Sequence, residues 1–246
     1  MQIRVAATPD LFRPRSGWIA VVIDVLRFTT CVAAALQAGA EAILPCATVE
    51  EALAGRQAGE LLSGERHSQP IPGFDLGNSP HEFLPSTVAG RRIRCTTTNG
   101  TRALRAAGSG LCAALVNRAA VTRRLAGMGA PTCLVCAGNR GAFGGDDWLT
   151  AGALVAGLRL AGVDLEPDDA ARAAESWFME CQMDLPAALA QSDHGRHLVS
   201  GGFLADLELC GQLDLWEVVP DYREGAIRNR PDGDSEAPYG LRIDCP

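Results

Sequence analysis

The chain of 246 residues carries a formal net charge of -7, which argues against a nucleic-acid partner, because phosphate neutralisation dominates such binding. Its hydrophobic share of 47% and charged share of 21% suit a substantial core, in one large α/β domain or two small ones. It contains no lysine: all 22 basic residues are arginine, which excludes a Lys Schiff base, and with it pyridoxal-phosphate chemistry, and the Walker A lysine of P-loop enzymes.

No apolar run is long enough to span a bilayer and no basic start precedes an apolar segment, so the expectation is a soluble, cytoplasmic protein with no membrane partner. Nine cysteines, an odd count in mostly apolar surroundings, read as free buried thiols. Cys133 and Cys136 match C-x-x-C, yet three residues apart on a strand they point to opposite faces.

Residues 1–7 alternate weakly and predict a first strand. Trp18 to Asp24 is an apolar, β-branched run that predicts a buried strand with Asp24 at its carboxyl end. Thr29 to Gly39 predicts a helix, Ala42 to Leu44 a short strand, and Thr48 followed by Glu51 a capped helix start running to Leu62. Ser63 to Pro85 is dense in Gly, Pro, Ser and Asn and predicts a long irregular connection of functional character. Arg92 to Thr96 predicts a strand entering Thr97-Thr98-Asn99-Gly100-Thr101 and a short helix, and Leu111 to Asn117 a strand followed by a helix to Met128. Pro131 to Ala137 predicts a strand entering a glycine-rich turn, after which Asp146-Asp147 opens a long helix. Glu166 to Gly211 reads as helical with breaks near residues 184–186 and 201–202, and Leu215 to Val219 as a late strand. Residues 1–220 are expected to form one α/β unit, compatible with two similar halves, and residues 221–246 a polar tail packed on the surface. Alternating strands and helices predict an α/β fold with a parallel or mixed sheet between two helical layers.

Ligands bind beyond the carboxyl ends of strands in open α/β sheets. Three such junctions carry polar groups: Asp24/Arg27/Thr29, Thr96 to Thr101, and Cys136 to Asp147. Thr, Asn and Gly ahead of a helix can cradle a phosphate or sulfonate. Carboxylates without clustered His or Cys suit a hard cation, foremost Mg²⁺. Arg27, Arg66 or Arg102 can clamp anionic oxygens. Together they point to Mg²⁺-assisted work on a small phosphorylated acid. His194 is read as an acid/base or anion contact, His197 as part of a solvated helix face, and His67 and His81 as flanking the long loop without a nameable partner.

Familiar phosphatase templates fail: Asp24-Val25-Leu26 is not D-x-D, Cys95 to Arg102 has six intervening residues where Cys-x₅-Arg needs five, and Arg-His-Gly is absent. The glycines at 138, 141 and 144 do not make a dinucleotide fingerprint, and no G-x-S-x-G elbow occurs.

Val22-Ile23-Asp24-Val25-Leu26-Arg27, Gly64-Glu65-Arg66, the run from Gly73 to Pro80, Thr97-Thr98-Asn99-Gly100-Thr101-Arg102, Cys136-Ala137-Gly138 and Asp146-Asp147 resemble, in order, the 2-phosphosulfolactate phosphatase family over roughly residues 1–220. The resemblance implies a Mg²⁺-dependent phosphatase with its own α/β/α fold. Its reaction would convert 2-phospho-3-sulfolactate to 3-sulfolactate, a step of coenzyme M biosynthesis. On this reading Asp24 with Asp146, Asp147 or both holds Mg²⁺, and Asn99, Gly100 and Thr101 cradle the phosphoryl group. Arg27 and Arg66 neutralise acid groups, Glu65 or Asp75 orients the attacking water, and Asn78, Thr98, Arg102 and His194 add substrate contacts. Cys136 is the competing nucleophile, less favoured than direct water attack. The partner expected is a small anionic phosphorylated substrate, with a homodimer as the candidate assembly. A phosphatase for another small phosphorylated carboxylic acid, or a non-catalytic binder of such acids, would use the same junctions.

Overall fold

A computed structural model describes residues 1–230. Its strands are β1 Gln2–Ala6, β2 Ile19–Ile23, β3 Ala42–Pro45, β4 Leu61–Arg66, β5 Gln69–Pro70, β6 Arg92–Thr96, β7 Gly110–Ala113, β8 Thr132–Cys136, β9 Glu166–Pro167, β10 Pro220–Arg223 and β11 Ala226–Asn229. The helices are α1 Phe28–Gln37, α2 Val49–Gly55, α3 Pro85–Val88, α4 Gly100–Ala107 and α5 Arg118–Met128. They continue with α6 Gly145–Leu160, α7 Asp169–Cys181, α8 Leu185–Gln191, α9 Asp193–Ser200 and α10 Leu204–Cys210.

All the strands join one mixed sheet in the order β5-β4-β6-β3-β11-β10-β7-β2-β8-β1-β9. It consists of two parallel blocks. β4, β6 and β3 run parallel on one side, and β7, β2, β8, β1 and β9 on the other. The β10–β11 hairpin enters between them, antiparallel to both β7 and β3. The fold is therefore a three-layer α/β/α arrangement. Val21, Leu111 and Leu134 on one face pack with residues of α5, α6 and α7, while Val22, Cys112 and Val135 on the other pack with residues of α1 and α4. Leu185, Leu189, Leu198 and Leu207 add α8, α9 and α10 to that second cluster.

The hairpin corrects two expectations. Residues 221–229 are not a surface tail but complete the middle of the sheet, where Tyr222 and Ile227 are buried. The physical signal was the two-residue turn Glu224-Gly225. Both residues hold positive φ (51° and 77°), the geometry that matches a tight hairpin to strand twist. The late strand starts at Pro220, so residues 215–219 are not its core. The rest of the expected tail, residues 231–246, lies outside the described residues.

Two further boundaries move. The helix begun at the Thr48 cap ends at Gly55, and Leu61–Arg66 is strand β4 rather than helix end and loop, because it pairs in parallel with β6. The predicted strand to Asn117 stops at Ala113 and closes with a single turn of 3₁₀ helix.

Candidate active site

Parallel register sets the site. Ile23 pairs with Cys136 and Gly64 with Thr96, so Asp24 and Ala137 emerge side by side from one block, and Glu65 and Thr97 from the other. In a flat sheet β6 and β2, five strand spacings apart, would be separated by about 24 Å. The chain itself crosses that gap: α4 packs against β2, and Gly100, its first residue, lies directly on Asp24. A Cβ on Gly100 would lie 2.7 Å from Asp24 Oδ2 and 2.3 Å from Phe28 Cδ1, so only glycine lets the first turn of α4 come this close.

The turn carrying Asp24 is fixed by the threonines that follow. The Asp24 N–H donates to Thr29 Oγ1 at 3.2 Å, its carbonyl accepts the Thr29 N–H at 2.8 Å, and Thr30 Oγ1 donates to the Val25 carbonyl at 2.8 Å. These threonines build the turn and leave the Asp24 carboxylate facing a cavity of about 270 Å³. Seven of the expected site residues line it: Asp24, Arg27, Glu65, Asn78, Thr98, Asn99 and His194.

Asp146 and Asp147 adjoin the site in different ways. Asp147 accepts the Val25 N–H on Oδ1 and the Gly138 N–H on Oδ2, each at 2.9 Å. It ties together the ends of β2 and β8, each oxygen accepting one backbone N–H, which gives Asp147 a positioning role beside the metal contact, direct or through water, expected of it. Asp146, also buried, faces His194, with Oδ2 3.6 Å from Nδ1. Glu65 resembles Asp147: Oε1 accepts the Thr98 N–H at 2.7 Å and Oε2 the Ser68 N–H at 2.8 Å. It holds two cavity turns in place.

Other expected residues are held away from the cavity lining. Gly100 and Thr101 are buried behind it, Thr101 Oγ1 donating to the Thr97 carbonyl at 2.9 Å. Arg66 turns back onto the sheet and donates to Thr96 Oγ1 at 2.9 Å and to the Glu65 carbonyl at 2.7 Å. Asp75 accepts the Leu62 N–H and an Arg56 N–H, each at 2.8 Å, bracing the connection to β4 instead of reaching a substrate. Arg102 pairs with Asp10 at the surface, 2.7 Å from Oδ1. Arg27 does line the cavity, but its guanidinium donates to Asp206 at 2.5 Å and to the Ser68 carbonyl at 3.1 Å, and it stacks on Phe203. Its charge is already matched.

The lining also includes His67, Ser68, Asn139, Arg140 and His197. His197 is exposed, as a residue of a solvated helix face would be, and also borders the cavity: α9 enters over the strand ends with both of its histidines at the lining. The Asn139-Arg140-Gly141 turn was visible as glycine-rich sequence, but nothing local identified Arg140 as a site residue.

Burial pushes Asp24 up to about 7, with Asp146 and Glu65 adding to the rise and His194 opposing it. Burial works against the charge on His194, but the contact with Asp146, reinforced by Asp24, outweighs it and raises the imidazole above its ordinary range. Desolvation, with Asp147 and Asp146 nearby, drives the Cys136 thiol well above its usual value, which removes the activation a thiolate nucleophile needs.

The donors suit a hard, oxygen-seeking cation. Asp24 presents its carboxylate to the cavity while accepting a backbone bond from Phe28, Asp146 lies close enough to act on it, and the buried Oδ1 of Asn78 has no hydrogen-bond partner. Among the described residues no three His, Cys, Asp or Glu side chains converge as a metal cluster. One or two carboxylates completed by water and substrate oxygens is the manner of Mg²⁺ rather than of zinc.

Known proteins resemble this chain over most of its length. The family profile described as 2-phosphosulpholactate phosphatase matches residues 6–225. A Deinococcus radiodurans protein is 42% identical over 241 residues, covering 93% of this chain and 98% of its own. A Thermotoga maritima protein is 41% identical over 210 residues (85% and 90%), and one from Caldanaerobacter subterraneus subsp. tengcongensis 38% over 219 (86% and 90%). Each bears the name "Probable 2-phosphosulfolactate phosphatase". With its profile spanning nearly the whole chain, this protein belongs to the 2-phosphosulpholactate phosphatase family.

Proposed function

We propose that the chain is a Mg²⁺-dependent phosphoric monoester hydrolase that converts 2-phospho-3-sulfolactate to 3-sulfolactate and phosphate, the type of step used in coenzyme M biosynthesis. The observation that carries this reading is the buried Asp24 carboxylate facing a polar cavity beneath the Thr98-Asn99 turn that opens α4. Asp24, Asp146 and the Asn78 carbonyl would hold the cation, which when bound supplies neutralising charge to the phosphoryl oxygens and acidifies a water.

The protein's own groups do the rest. Thr98 and Asn99 offer donors to the phosphoryl oxygens at the start of α4, where the helix favours negative charge. Glu65 and Asp147 keep the turns that carry these groups fixed, so orientation is set before substrate arrives. His194, its proton affinity raised by Asp146, would give a proton from Nε2 to the departing sulfolactate oxygen as the P–O bond breaks. Water supplies the new P–O bond. The free, mostly buried thiols of the described cysteines suit a reducing cytoplasm.

The test is phosphate release from 2-phospho-3-sulfolactate with Mg²⁺ and after chelation. Turnover that is abolished by chelator and by Asp24→Asn supports the reading, whereas release unaffected by either refutes it.

A further inference from the structure

The substrate proposed above has a phosphate that reacts and two acid groups that do not. The arginines that the sequence offers for those groups are engaged elsewhere: Arg27 with Asp206, Arg66 with Thr96 and the backbone, Arg102 with Asp10. Arg140 differs. It lines the cavity and is exposed, and among the described residues no carboxylate pairs with it. Among the described residues its side chain makes one hydrogen bond, to His67, whose Nδ1 lies 3.5 Å from an Arg140 Nη.

Two separate turns meet here. Arg140 adopts φ of 52° in a turn closed by the reciprocal Asn139–Ala142 backbone pair, and its N–H is accepted by Asn99 Oδ1 at 3.0 Å. His67 and Ser68, at φ of 55° and 64°, form the tight turn between β4 and β5, braced by the Ser68 N–H bond to Glu65. Both side chains are thus delivered to one mouth of the cavity by backbone that is itself anchored to Asn99 and Glu65, residues of the phosphoryl end. A guanidinium with no carboxylate partner among the described residues, beside an imidazole at the cavity mouth, is complementary to a small oxyanion.

We infer that Arg140 and His67 form the subsite for the non-reacting acid group of the substrate, a sulfonate or a carboxylate, and that Arg140 is the residue that sets specificity for it. This assignment rests on the phosphatase reading for the identity of the ligand, but it is tested by binding alone. The purified chain is titrated with 3-sulfolactate and, separately, with inorganic phosphate, as wild type, Arg140→Ala, Arg140→Lys and His67→Ala.

Arg140→Ala is expected to weaken 3-sulfolactate about tenfold or more, Arg140→Lys and His67→Ala by less, and inorganic phosphate to change less than about twofold. Lactate and 2-hydroxyethanesulfonate then identify the acid group, because only the one seated at Arg140 loses affinity in Arg140→Ala. Unchanged 3-sulfolactate affinity, an equal loss for phosphate, or no 3-sulfolactate binding by the wild type overturns the subsite. If Arg140-dependent binding is seen but 2-phospho-3-sulfolactate is not hydrolysed, the catalytic reading alone falls.

Discussion

Gly100, which opens the helix after β6, and Asp24, which follows β2 in the other block of the sheet, are in contact, and a methyl group on Gly100 would stand 2.7 Å from the Asp24 carboxylate. No side-chain adjustment of Asp24 alone relieves this, because the same methyl would lie 2.3 Å from the buried ring of Phe28. Gly100→Ala should therefore cost about 1–3 kcal/mol by overpacking and lower kcat at least tenfold by displacing α4. Thermal melting and steady-state kinetics check both; a variant with wild-type melting and turnover would show that the approach is not functionally required.

Asp147 and Asp146 are neighbours with different expected phenotypes. Asp147→Asn leaves one acceptor where two backbone N–H groups need one each. It should destabilise the fold by about 1–3 kcal/mol while keeping most Mg²⁺ affinity. Asp146→Asn should do the reverse. Denaturant melts and Mg²⁺ titrations on the two variants decide, and a larger metal defect in Asp147→Asn would make it the main ligand.

The raised Asp24 gives a pH dependence with a definite sign. Its neutral form is favoured in the folded, metal-free protein up to about 7, above the ordinary 3.8. The associated stability is present below about pH 4 and is lost as the pH climbs to about 7. Metal-free Asp24→Asn should lack this loss, so its melting temperature should gain on the wild type as pH rises from 4 to 7. Mg²⁺ affinity of the wild type, which needs the carboxylate, should increase over the same interval. Parallel melting curves for the two proteins across that range would contradict the assignment.

Cys136 should resist alkylation in the native protein at pH 8, because it is buried and its thiol is held protonated by desolvation. Peptide mapping after iodoacetamide should find the partly exposed Cys181 modified first, with turnover retained. Rapid loss of activity matched to Cys136 labelling would revive the thiol mechanism.

Arg102→Ala should change kcat/KM by less than about twofold, since its partner is the exposed Asp10 and such surface pairs contribute little. A drop of tenfold would return it to the substrate.

The elements legible from sequence were those with strong local signals. The β-branched run Ile19–Ile23, the Thr48 cap and the alanine-rich α1 and α6 stand near where their patterns put them. β10 and β11 were not legible, because a four-residue strand of mixed polarity acquires its identity from the edges it joins. Strand-end position pointed to Asp24, Thr98 and Asn99, which all line the cavity, whereas Glu65, which lines it too, belongs to a segment that reads as loop. Asp75, Arg66 and Arg102 do not line it, because each is held by an internal partner that their charge alone does not reveal.

By itself, then, the chain's sequence determined the α/β class, the absence of lysine chemistry, the polar junctions and, through their order, the family. Only tertiary structure decided which junctions share a cavity. That depends on the β10–β11 hairpin joining two parallel blocks, and on α4 crossing from β6 to bring Gly100 against Asp24. It also decided which charges remain available, because whether a carboxylate or guanidinium is spent on an internal partner is set by neighbours far away in sequence. Asp147 is 122 residues from Val25, and Arg27 is 179 from Asp206.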